Sequence, residues 1–315
     1  MTHPRWGVGS NQYQKRAGSG AQGRPETDLS LDAPPSAQPT GVELTPALIK
    51  SRNHLLDALT VLAPHAEALT VIGAQAVHER TDPDLPIPST STEDGDLAVT
   101  PELLVAQPQM GTLLGEHGYQ PKFPERPGIW VKADHPEASV DLLVPESVAG
   151  PGRRSAKTFH NQGRNVIGRA AGIEMAMTDR NLVTLVSLDG SRPDVPAYVA
   201  GTAALLCAKS YKITERIEAR DRGKLDRVKP KDAGDMWRLM ASSDPTTVRE
   251  TFRRCEADPK IGPSARIGRA YFESLFSPTG EGHDLILRDL GPLLDEESTR
   301  MHIENWMASF AGELD

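Results

Sequence analysis

The chain has 315 residues, 38% hydrophobic and 25% charged, with a formal net charge of −8, enough for two domains or for one domain with a long appendage. Its longest apolar run, residues 198–208, falls far short of the ~20 residues a membrane-spanning helix needs, so no membrane partner is expected. The acidic balance excludes wholesale nucleic-acid coating, Cys207 and Cys255 form neither a metal pair nor a disulfide framework, and the opening MTHPRWGVGSNQYQK has no apolar leader core, so a cytoplasmic location is expected.

Residues 1–43 are rich in Gly, Pro, Ser, Gln and Thr and almost free of spaced apolar residues, which predicts a disordered tail. Its Gly18-Ser-Gly-Ala-Gln-Gly23 matches a dinucleotide fingerprint, but the polar stretch before it is no strand, so the match is rejected. Thr45-Pro46 reads as an N-cap with proline at the first helical position, opening a helix whose apolar face is Leu48, Leu55, Leu56, Leu59 and Leu62. The run Leu69 to Gly73 then predicts a buried strand, AQAVHER a short helix, and the residues up to Glu93 a proline-rich loop. DGDLAVT is a second strand, 101–118 a helix, and GIWVKAD and ASVDLLVP are two further strands. The expected class is α/β (α+β), with a mixed-sheet domain over residues 44–190.

After Pro196 the pattern turns helical. Val199, Ala203, Leu206, Ser210, Ile213 and Ile217 recur every three or four residues and predict one long amphipathic helix, and the segments around Trp237, Phe252, Phe272 and Trp306 read the same way. Residues 191–315 are therefore expected to form an all-helical domain.

Aspartate is disfavoured in strands, yet the second strand opens Asp94-Gly-Asp96. Alternate strand residues share a face, so Asp94, Asp96 and Ala98 lie on one side and Leu97 and Val99 on the other. Two carboxylates forced together raise a pKa or recruit a hard cation such as Mg²⁺; a solvated turn is the alternative. Asp141 sits in an otherwise apolar strand, where its charge needs a shared metal or an arginine partner.

A strand ending in glycine, a short helix, Thr92-x-Asp94-x-Asp96 on the next strand and Asp141 on a later one resemble the nucleotidyltransferase superfamily, the fold of DNA polymerase beta. TVIGAQAVHERT followed by STSTEDGDLAV resembles, more narrowly, AbiEii-type nucleotidyltransferases, including the MenT-like toxins of toxin-antitoxin systems. Lys209 and RVKPKDAGDMWRL extend the resemblance to about Leu239. It implies that Asp94 and Asp96 hold two Mg²⁺ ions on an NTP, that Asp141 completes the metal site, and that Lys209 and Asp232 serve from the helical half. Gly73, Ala74, Thr92 and Lys209 would contact the nucleotide. The implied activity moves an NMP to a hydroxyl acceptor, the 3′ end of a tRNA or a small molecule such as an aminoglycoside, with a cognate antitoxin as protein partner. Where the family usually has Gly-Gly or Gly-Ser, this chain has Gly73-Ala74; where it has an arginine, Thr90 stands, with Arg80 the nearest substitute. A catalytically degenerate, non-enzymatic interaction protein is the alternative from another class.

By position, Lys209 flanks its helix's apolar stripe with Lys212 and Arg216 on the same side, a triphosphate ligand or a snorkelling surface lysine. Asp232, one turn before Met236, points inward or serves a helix N-terminus. From Cys207 to Lys231 nine basic residues stand against four acids, and the acid-free RRSAKTFHNQGRNVIGR adds Arg153, Arg154, Lys157, Arg164 and Arg169, so phosphate ligands are expected there. His78-Glu79 lacks the second histidine of a zinc-protease motif, and a calcium loop from Asp82 fails at Ile87.

Overall fold

The computed structural model describes residues 44–312, apart from 86, 89–91, 150–161 and 164. The expected tail, Thr90, and Arg153, Arg154, Lys157 and Arg164 of the second basic stretch lie outside the described residues.

Thr45 caps the first helix as its sequence predicts: its Oγ1 accepts from the Leu48 amide at 3.2 Å, and Pro46 opens α1 (Pro46–Val61), which buries Leu48, Leu55, Leu56 and Leu59. The apolar run that follows is strand β1 (Leu69–Ile72), buried along its whole length. At Gly73 the backbone turns left-handed, with φ at +68°, and enters α2 (Gly73–Arg80). After the proline-rich loop come β2 (Asp94–Val99), α3 (Met110–Glu116), β3 (Tyr119–Pro121), β4 (Ile129–Lys132), β5 (His135–Pro145), β6 (Gly168–Ala170), β7 (Arg180–Leu185) and β8 (Val195–Ala200). They form one mixed eight-stranded sheet in the order β3-β4-β5-β2-β1-β8-β7, with β6 parallel to β5. The α/β class is as expected.

Two segments differ from expectation. The helix predicted over 101–118 is a single 3₁₀ turn, Pro101–Leu103, followed by the short α3; Pro108 lies between them and cannot supply a helical N–H. Val199, read as the start of the long helix, belongs to β8, which pairs parallel to β1 and antiparallel to β7. Six residues, VPAYVA, are too few for a period of three and four to be told from a period of two, and Val199 to Ala203 happens to fit the helical spacing. The helix itself, α4 (Thr202–Asp221), starts after Gly201 because Asp179 closes its end. The Asp179 carboxylate accepts from the Ala204 amide at 2.9 Å, and a side chain at Gly201 would meet that carboxylate at 2.1 Å.

From Thr202 onward every regular element among the described residues is helical: α5 (Pro230–Ala241), α6 (Pro245–Glu256), α7 (Gly262–Leu275), α8 (Gly282–Leu290) and α9 (Glu296–Ala311). In this half Phe252 meets Phe310, and Phe272 meets Trp306 and Phe310, edge to face at centroid distances of 5.3–5.8 Å, while Trp306 stacks on Phe310. Its core is continuous with that of the sheet, which fixes α4 and α5 opposite the strand ends that carry the aspartates.

Candidate active site

The alternation of β2 turns Gly95 and Leu97 away from Asp94 and Asp96, and a side chain at Gly95 would stand 3.2 Å from Leu55 of α1. β5 runs parallel to β2 in a register that sets Asp141 beside Asp96 and Ser139 beside Asp94. All three aspartates therefore share one face. The Ser139 hydroxyl lies 2.8 Å from Asp94 Oδ1 and 3.2 Å from Asp141 Oδ1, and its single proton serves one carboxylate at a time. Asp141 thus shares a serine hydroxyl with Asp94, a neighbour the sequence did not indicate. Asp96 lies over Gly73, where a Cβ would stand 2.0 Å from Asp96 Oδ2, so glycine is required there by contact as well as by backbone angle.

These acids are poorly compensated. Burial, reinforced by the Asp96 and Asp94 charges, pushes the Asp141 carboxyl up to about 8. Burial also raises Asp96, with Asp94 adding and Lys212 opposing. An all-oxygen donor set with surplus negative charge fits a hard divalent cation. As the side chains stand, no three His, Cys, Asp or Glu groups among the described residues are gathered as a ready-made metal cage.

The facing wall is cationic. Lys209 is buried, 6% exposed, and its Nζ lies 3.0 Å from Asp232 Oδ1 and 2.5 Å from Asp235 Oδ2. It is not a surface lysine. Asp232, wholly buried in the first turn of α5, also accepts from Lys212 Nζ and Arg216 Nη1, each at 2.9 Å. The three cations follow one another on one side of α4 at the predicted spacing. Burial disfavours both partners in their charged forms, but Asp235 and Asp232 hold the Lys209 ammonium above the ordinary lysine value. Lys209 and Lys212 hold the Asp232 carboxyl well below its own. Partial burial and the Lys209 charge pull Lys212 the other way, below the lysine value.

Between the two walls lies a cleft of about 730 Å³, and all eight residues singled out in the sequence (Gly73, Ala74, Thr92, Asp94, Asp96, Asp141, Lys209 and Asp232) line it. Thr92 closes the turn before β2, its Oγ1 accepting from the Asp94 amide at 3.3 Å. Of the basic stretch, Arg227, Lys229 and Lys231 also line the cleft. Arg220 and Arg222 do not: Arg220 pairs with Glu281 and Asp221, and Arg222 with Glu218. Arg80 does not line the cleft either. Its guanidinium is spent on the Ala200 and Val199 carbonyls at 2.8 and 2.7 Å and on Asn181, tying α2 to β8.

Sequence reasoning missed three residues. Asp235, the second partner of Lys209, stands three residues after Asp232 and was legible as its neighbour on one helical face. Ser139 stands two before Asp141 and shares its side of the strand. Arg238 donates to the Pro88 carbonyl at 3.0 Å and so ties that residue to α5; no local pattern links residues 150 apart. No protein-family model matches the chain, and no curated protein matches it.

Proposed function

We propose that this protein is a metal-dependent nucleotidyltransferase, moving an NMP from an NTP to a hydroxyl acceptor. The observation that carries the reading is the meeting of three strand-borne carboxylates with the Lys209–Asp232 wall across one cleft. Mg²⁺, when bound, would neutralise the phosphates and lower the pKa of the acceptor hydroxyl. Asp94 and Asp96 would hold the ion against the phosphates. Asp141 would share in holding it or take the acceptor's proton, with the Ser139 hydroxyl within reach of its Oδ1. The acceptor oxygen then bonds to the α-phosphorus as the bond to pyrophosphate breaks. Gly73 leaves the backbone close to the site, and Lys209, Lys212 and Arg216, held around Asp232, make the opposite wall positive.

Arg227, Lys229 and Lys231 on that wall favour a polyanionic acceptor such as a tRNA 3′ end. A toxin role with an antitoxin partner in the cytoplasm, which the family resemblance implies, would go with that acceptor; a small hydroxylated molecule of aminoglycoside type is the competing substrate. Two observations favour the non-enzymatic reading instead: Ala74 offers the cleft no hydroxyl, and Arg80 is committed to the β8 backbone. Incubation with each α-labelled NTP, Mg²⁺, and either total tRNA or aminoglycosides separates these readings. Pyrophosphate release with label in the RNA is expected. Label in the aminoglycoside alone selects the small acceptor, and no release with any NTP leaves an interaction protein.

A further inference from the structure

The three cations around Asp232 differ in what they can give up. Lys209 has a side chain only 7% exposed and spends two of its three donors on carboxylates that are wholly buried. Turning it toward a ligand would strand Asp235, whose other cation, Arg238, stands off at 3.7 Å. Lys212 and Arg216 are placed differently. Their side chains are 43% and 26% exposed, both line the cleft, and each makes one contact to Asp232. If both leave, Asp232 keeps Lys209. Lys209, Lys212, Arg216 and Arg238 here meet Asp232, Asp235 and Asp289, so the cluster retains an excess positive charge, and the guanidinium fork of Arg216 matches phosphate geometry.

We propose that Lys212 and Arg216 are the phosphate-contacting residues of the cleft, that Asp232 holds them in place until an oligophosphate displaces it, and that Lys209 stays on Asp232 and Asp235 throughout. The inference rests on the nucleotide reading of the cleft for the identity of the anion. It reassigns the role that the family resemblance gives to Lys209, which becomes a positioning residue.

The test uses the full-length wild-type chain, an amine-acylating ester, and inorganic tripolyphosphate with Mg²⁺ as the probe, with each lysine's modification rate read by mass spectrometry. Lys212 is expected to react without the probe and several-fold more slowly with it, while Lys209 stays unmodified in both conditions and the remote, exposed Lys260 is unaffected. In parallel, the Lys212→Gln/Arg216→Gln double variant should bind tripolyphosphate at least about tenfold more weakly by calorimetry, the loss expected of even one charge-assisted contact. A Lys212 rate that tripolyphosphate leaves unchanged at any concentration, protection of Lys209 in its place, or wild-type affinity in the double variant would overturn the proposal. Because neither measurement involves a base or a transfer step, protection of Lys212 in a protein that releases no pyrophosphate would sink the transferase reading and leave this one standing.

Discussion

Gly73 shows how much a single position can carry. Its φ of +68° lies where L side chains are strained, and any Cβ would run into the Asp96 carboxylate. Gly73→Ala should therefore lower the unfolding free energy by about 1–3 kcal/mol in urea titrations and displace Asp96, with loss of nucleotidyl transfer. A variant as stable and as active as wild type would show that the turn relaxes freely. At this scale the sequence was informative about the acids: period-two alternation put Asp94 and Asp96 on one face, and the apolar surroundings of Asp141 marked it as an acid in need of a partner. It did not disclose which partner, because Ser139 bridges Asp94 and Asp141 only through the β2–β5 register. Asp235 was legible on the Asp232 face of α5, but its pairing with Lys209 was not, since that depends on how α5 meets α4.

Among the elements, α1, β1, α2 and β2 were legible because cap, run length and periodicity agree there. β8 was not, because a short strand followed directly by a helix blurs two periods, and the pairing that decides it, with β1 well over a hundred residues earlier, leaves no local trace. α2 carries a pH response of its own. Burial, helped by the Arg52 charge, holds the His78 imidazole down to about 4, whereas an unfolded histidine titrates near 6.5. Between those values the unfolded chain binds the extra proton, so stability should fall as the pH is lowered from about 6.5 towards 4. His78 alone should contribute roughly 1–3 kcal/mol to that fall. His78→Gln should flatten the decline, read as urea midpoints at pH 7 and pH 4.5; the same slope in both proteins would show that His78 titrates normally when folded.

The whole molecule makes the site by opposition. The sheet supplies carboxylates that repel one another, and the helical half supplies cations organised around two buried aspartates. Arg238 of α5 holds the Pro88 carbonyl, and Arg80 ties α2 to β8. Composition and periodicity indicated both halves, but nothing in the sequence alone sets the distance across the cleft; packing of α4 and α5 does so. If this cleft takes an NTP through a metal held by the strand carboxylates, as proposed, NTP affinity depends on both Mg²⁺ and Asp96. Calorimetric titration of a non-hydrolysable NTP analogue into wild type and Asp96→Asn, each with and without Mg²⁺, tests it most directly. Tight binding is expected only for wild type with Mg²⁺, with a dissociation constant at least tenfold larger, about 1.4 kcal/mol, for Asp96→Asn. Equal affinity in the two proteins, or binding by wild type that ignores Mg²⁺, would contradict it.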